Sequence, residues 1–128
     1  MNGKEILVDT NIFLYLLNGS IDLENFLNGK HVSLCFITEL ELIGFSQITL
    51  KEENDIARLL LDCSIIPLSE SIKRKYVEIR RTNKIKLADA LIAATAIVLD
   101  IPLITADADF KKITALNLIT YSHGIDLA

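Results

Sequence analysis

Short apolar runs alternate along this chain with longer segments of helical period. Ile6 to Val8 is apolar and of strand length, and Thr10 to Leu17 follows as a short helix stopped by Asn18-Gly19. Leu23 to Leu27 is a second helical piece, closed by Asn28-Gly29. Val32 to Ile37, apolar at most positions and β-branched at its ends, predicts a second strand. Thr38 then stands as an N-cap with Glu41 three residues on, the spacing of a capping box. Leu50 to Leu61 has helical periodicity through Ile56, Leu59 and Leu60. Ser64 to Leu68 is a short strand ending near Pro67. Ser69 to Arg81 places Ile72, Tyr76 and Ile79 on one helical face. Lys86 to Leu99 is a further helix, and Leu103 to Thr105 and Leu118 to Tyr121 complete the strands.

Strands alternating with helices are the pattern of βαβ units. The strands lack clean polar–apolar alternation, which predicts a parallel sheet covered on both faces. At 128 residues, residues 1–128 form one domain with a substantial core. There is no internal repeat and no linker rich in Pro, Gly or Ser.

Composition narrows the class. Hydrophobic residues make up 51% and charged residues 23%, the balance of an ordinary globular protein. The most apolar stretch, Ala90 to Leu99, is too short for a membrane span, and no signal-peptide pattern opens the chain. Cys35 and Cys63 sit in apolar surroundings without a CxxC spacing, which predicts reduced core thiols and a cytoplasmic location. His31 and His123 stand alone, so no zinc pattern is present. The net charge is -4, and it vanishes when Asp9, Glu41, Asp89 and Asp107 are set aside. The acidity therefore does not exclude a nucleic-acid partner.

Those four acids carry the chemistry. Asp9 directly follows the first strand, Glu41 lies a helical turn past the second, Asp89 opens a helix, and Asp107 lies two residues past Thr105. In open parallel sheets, ligands bind beyond the carboxyl ends of the strands, and right-handed crossovers bring those ends together. Carboxylates gathered there repel one another unless a cation sits between them. Mg²⁺ and Mn²⁺ suit such donors, and they activate water for attack on a phosphodiester. Each acid also has a purely local reading. Asp9 caps the next helix, Glu41 completes a capping box, Asp89 complements a helix dipole, and Asp107 or Asp109 caps the turn at Asp109-Phe110-Lys111-Lys112.

Four segments carry a family resemblance: Leu7-Val8-Asp9-Thr10-Asn11, Ile37-Thr38-Glu39-Leu40-Glu41-Leu42, Lys86-Leu87-Ala88-Asp89-Ala90-Leu91-Ile92-Ala93-Ala94-Thr95-Ala96 and Leu103-Ile104-Thr105-Ala106-Asp107-Ala108-Asp109-Phe110. In this order the chain resembles the PIN-domain ribonucleases, most closely the small toxins of the VapC type. The resemblance implies a three-layer α/β/α domain around a central, mostly parallel five-stranded sheet. It implies an endoribonuclease dependent on Mg²⁺ or Mn²⁺ that leaves a 5′-phosphate and a 3′-hydroxyl. It assigns metal ligation and catalysis to Asp9, Glu41, Asp89 and Asp107, and supporting roles to Asn11, Thr105 and Asp109. Glu39 competes with Glu41, because Gly44 follows one residue sooner than in the commonest pattern. The resemblance also implies a homodimer and a cognate antitoxin.

Seven of the 13 Lys and Arg residues fall between Lys73 and Lys86, and of these Arg80, Arg81, Lys84 and Lys86 are the candidate RNA contacts. The bland alternative is a solvated helix face. Two other readings keep the fold: a housekeeping RNA-processing nuclease, and a non-catalytic metal-binding α/β module. The receiver type of module lacks a late strand ending in Lys here.

Overall fold

The computed structural model describes residues 4–122. His123 lies outside them. Among the described residues five strands form one sheet in the order β3-β2-β1-β4-β5, and every pairing is parallel. The strands are β1 (Glu5–Val8), β2 (His31–Cys35), β3 (Ser64–Ile66), β4 (Leu103–Thr105) and β5 (Leu118–Thr120). The helices are α1 (Thr10–Leu17), α2 (Ile21–Leu27), α3 (Phe36–Ile43), α4 (Leu50–Leu61), α5 (Glu70–Thr82) and α6 (Leu87–Leu99). A 3₁₀ turn spans Ala108–Lys112. The sheet among the described residues is thus wholly parallel, as the apolar strands predicted and in keeping with the mostly parallel five-stranded sheet that the resemblance implied.

Strand side chains feed two cores, one on each face, because successive residues point to opposite sides. Leu7, Cys35 and Leu103 join α5 and α6 residues such as Ile72, Ile79 and Ala93. Ile6, Val8, Leu34 and Ile104 join Ile12, Phe13, Leu23 and Leu42 on the other face. This is the three-layer α/β/α architecture. Helix α6 is buried continuously from Ala90 to Ala96, between the sheet and α5. Its alanines let the two helices approach closely. The turns at Asn18-Gly19 and Asn28-Gly29 end α1 and α2 as expected, with both glycines in the left-handed region.

Several element ends differ from expectation. Helix α2 starts two residues early, at Ile21, with Ser20 as its N-cap. Ser69 and Lys86 are N-caps rather than first helical residues, and β3 stops at Ile66, not Leu68. The larger correction concerns β2, which ends at Cys35, where α3 begins at once. Phe36 and Ile37 are therefore helical. Thr38 is buried inside the helix and caps nothing, so Glu41 is not half of a capping box. The capping box at Thr49, with Glu52 as its partner, starts α4 instead. Cys35 and Cys63 are both free thiols, the first buried and the second half-buried, and burial pushes both upward in pKa. Helix α4 buries only Ile56 fully and leaves Leu50 and Leu61 exposed, so it is a surface helix rather than a core one.

Candidate active site

The chain leaves β1 toward β2 and β3, then returns to place β4 on the opposite side of β1. This is a topological switch point, where the crossovers diverge and a crevice opens at the carboxyl ends of the strands. A cleft of about 320 Å³ lies there. Asp9, Glu41, Asp89 and Asp107 all line it, with Thr10, Asn11 and Lys86. Leu14, Phe45 and Ile92 give it an apolar wall. Four segments distant in sequence thus deliver their acids to one cavity. Glu39 and Asp109 do not line it.

Asp9 stands directly after β1 and is almost fully buried. One carboxylate oxygen accepts from the Ile12 amide at 2.9 Å, which makes Asp9 the N-cap of α1. The other accepts a short hydrogen bond from the Thr105 hydroxyl. Thr105 in turn accepts from the Asp107 amide at 3.0 Å, so its single proton is directed at Asp9. Asp107 accepts from the Asp109 amide at 2.9 Å and caps the 3₁₀ turn. The local, capping readings of Asp9 and Asp107 therefore hold alongside their place in the cleft. Asp109 contributes its backbone, with its side chain exposed.

Glu41 reaches the cleft from the last turn of α3. Its carboxylate accepts from the Thr10 hydroxyl at 2.5 Å, and Thr10 lies 3.3 Å from the buried Thr38 hydroxyl. Thr38 and Glu41 are three residues apart on a helix and share a face, which aims Glu41 at α1. Glu39, two residues before Glu41, stands off that face. The part played by Thr10 goes beyond the sequence reading, since a residue beside Asp9 at a helix start reads as part of the cap. Asn11 lines the cleft without a hydrogen bond to the acids.

Asp89 sits in the first turn of α6, where the helix dipole favours negative charge. Even so, its carboxyl is raised from 3.8 to about 6, by partial burial and then by the charges of Asp107 and Asp9. Lys86 opposes that rise. Asp9 is likewise raised, chiefly by burial, against the lowering effect of its two hydrogen bonds. Two acids that resist ionisation side by side are the signature of a site short of positive charge. Among the described residues, no three of the carboxylates are drawn together tightly enough to grip an ion as they stand. The donor chemistry nonetheless fits a hard divalent cation: oxygen ligands only, some preset by hydrogen bonds, with room for water.

The basic residues divide. Lys73 pairs with Glu70 and Lys75 with Glu78. Arg80 lies over the Tyr76 ring and donates to its hydroxyl. Arg81 and Lys84 are exposed and make no ion pair among the described residues. Lys112 donates to the Lys84 carbonyl at 2.8 Å, which fastens the α5–α6 loop to the turn following Asp107. Lys86 alone of the cluster enters the cleft. No helix among the described residues is long and apolar enough to cross a membrane.

Comparison with known proteins agrees with the fold. No curated protein sequence matches the chain. Among solved structures, the chain is similar to the VapBC2 complex of Rickettsia felis, bound to a promoter DNA fragment. That match has 25% identity and a TM-score of 0.81, covering 92% of this chain and 99% of the other. A toxin–antitoxin complex from Klebsiella pneumoniae matches with 29% identity and a TM-score of 0.74, over 91% and 96%. VapBC-1 from nontypeable Haemophilus influenzae matches with 26% identity and a TM-score of 0.77, over 96% and 98%. The model of the PIN domain matches residues 6–116, a span that takes in every acid of the cleft, and the chain belongs to the PIN-domain family.

Proposed function

We propose that this chain is a divalent-metal-dependent endoribonuclease, using Mg²⁺ or Mn²⁺, and the toxin of a type II toxin–antitoxin pair. The observation that carries the reading is the meeting of Asp9, Glu41, Asp89 and Asp107 in one cleft at the switch point of a parallel sheet. The likeness to toxin–antitoxin complexes supports a cognate antitoxin as partner. A homodimer and a cytoplasmic location belong to the same reading.

The four acids would hold the ion, which supplies an activated water and stabilises charge on the leaving oxygen. The chain's own residues prepare that work. Thr105 and the Ile12 amide fix both oxygens of Asp9, so its carboxylate cannot rotate away. The Asp109 amide fixes one oxygen of Asp107, and Thr10 holds Glu41. Such preset ligands lower the reorganisation needed when substrate arrives. Lys86 offers a cation in the cleft for the phosphate, and the exposed Arg81 and Lys84, just before it in the chain, are candidates for further phosphate contacts. The products are a 5′-phosphate and a 3′-hydroxyl.

Purified protein is expected to cleave structured RNA with Mn²⁺ or Mg²⁺, to stop with EDTA, and to lose cleavage on Asp89→Ala without unfolding. Undiminished cleavage by Asp89→Ala would remove that residue from the mechanism, and cleavage in EDTA would remove the metal. Expression alone should arrest growth, with relief by the neighbouring small gene. Cleavage without arrest would turn the assignment to housekeeping RNA processing.

A further inference from the structure

Two acids of the cleft are held in different ways. Asp9 is buried and both its oxygens are fixed, whereas Glu41 is exposed and stands on a longer, freer side chain. A pair of hydroxyls orders it. The Thr10 hydroxyl lies 2.5 Å from Glu41 Oε1 and 3.3 Å from Thr38 Oγ1. It has one proton, and the nearer, charged carboxylate takes it. Thr38 is then the donor in the longer contact, since two hydroxyls cannot both accept in one hydrogen bond. Thr38 is wholly buried in α3 and does not line the cleft. Among the described residues, Thr10 is the one hydrogen-bond partner of its hydroxyl.

A hydroxyl that accepts a hydrogen bond is a stronger donor in the next one. A Thr10 oxygen that takes the Thr38 proton also cannot turn its own proton back toward Thr38. The hydrogen bonds therefore run one way, from Thr38 through Thr10 to Glu41, and tie the start of α1 to the last turn of α3. Resting on the metal-dependent reading above, we propose that Thr38 is a positioning residue, whose buried hydroxyl commits the Thr10 proton to Glu41 and so holds that carboxylate ready for a divalent ion. Thr38 itself touches neither ion nor RNA. Its effect belongs in metal affinity and not in RNA binding.

Mn²⁺ binding by the full chain, read from the electron paramagnetic resonance signal of the free ion, gives a Kd without turnover. Thr38→Val keeps the shape and removes the hydroxyl, and it should raise that Kd roughly 10-fold. Thr38→Ser should restore it. Thr10→Val should raise the Kd as much, and the double variant no further, because both act through one chain of hydrogen bonds. Thr95→Val is the control. Its hydroxyl is equally buried but donates to the Leu91 carbonyl at 2.8 Å, away from the cleft. This variant should lose stability and keep its Kd. On RNA, Thr38→Val should lower kcat at limiting Mn²⁺ with KM unchanged, and excess Mn²⁺ should recover it. An unmoved Kd for Thr38→Val or Thr10→Val, no rescue by serine, additive losses in the double variant, or an equal rise for Thr95→Val would overturn the proposal. Thr10→Val, at a half-buried position, decides the matter if Thr38→Val does not fold. A wild type that binds no Mn²⁺ would overturn both the positioning role and the metal reading. The expected Kd shifts without any RNA cleavage would refute the nuclease reading alone.

Discussion

Asp89→Asn should stabilise the metal-free protein, and the gain should depend on pH. In the folded chain the Asp89 carboxyl is raised from 3.8 to about 6, first by burial and then by the neighbouring acids. The folded state therefore holds more protons than the unfolded chain between those values. Its stability falls as pH rises through that window, and the penalty is complete above it. The full displacement corresponds to about 3 kcal/mol. Asp89 is only partly buried, and solvent screening reduces this to roughly 1–2 kcal/mol. For a chain of 128 residues that is about 4–7 °C in Tm.

The assay is a set of thermal melts in EDTA from pH 4 to 8, followed by circular dichroism, for wild type and Asp89→Asn. At pH 7.5 the variant should melt higher, and near pH 4 the two curves should meet. Asp9, also raised, titrates in both proteins and adds slope of the same sign. Saturating Mn²⁺ should reverse the order, since an ion at 100 times its Kd adds about 2.7 kcal/mol to whichever protein binds it. A variant that melts lower than wild type at pH 7.5, or a gap that does not change with pH, would refute the electrostatic account.

Glu41→Ala should cost at least about 100-fold in cleavage, whereas Glu39→Ala should leave it near wild type, because only Glu41 lines the cleft. Cleavage assays at saturating metal compare the two directly. Thr105→Val strands the Asp107 amide and deprives Asp9 of its donor, so urea unfolding should show a loss of about 1–3 kcal/mol. Replacing Arg81 and Lys84 together by Ala should reduce the salt dependence of RNA binding by roughly 0.7 in log–log slope for each phosphate that these cations neutralise. An unchanged slope would leave both residues as ordinary solvated surface charges.

Much of this site is legible in residue order alone. Asp9, Asp89 and Asp107 flank apolar runs that end at the carboxyl edge of the sheet or start a helix beside it, and parallel topology does the rest. The passage from β2 to α3 is not legible. Val32 to Ile37 is one apolar run, and a buried helix start looks like a buried strand when no polar cap divides them. Cys35 is the cap and makes no side-chain bond to the helix. Once α3 begins at Phe36, helical period puts Glu41 and Thr38 on one face and settles which glutamate enters the cleft. Thr10 and Phe45 are hidden for opposite reasons. Thr10 merges into a capping motif, and Phe45 lies past the helix end, where no period applies.

Two of the acids have a second employment and two do not. Asp9 and Asp107 each hold a backbone amide that starts the next element. Glu41 and Asp89 hold no amide among the described residues, and Asp89 is strained by its neighbours' charge. Genetic drift away from activity would accordingly follow a preferred path. On the nuclease reading proposed above, a descendant released from selection for activity would shed Asp89 or Glu41 early and keep Asp9 longest, leaving a fossil of the cleft inside an intact scaffold.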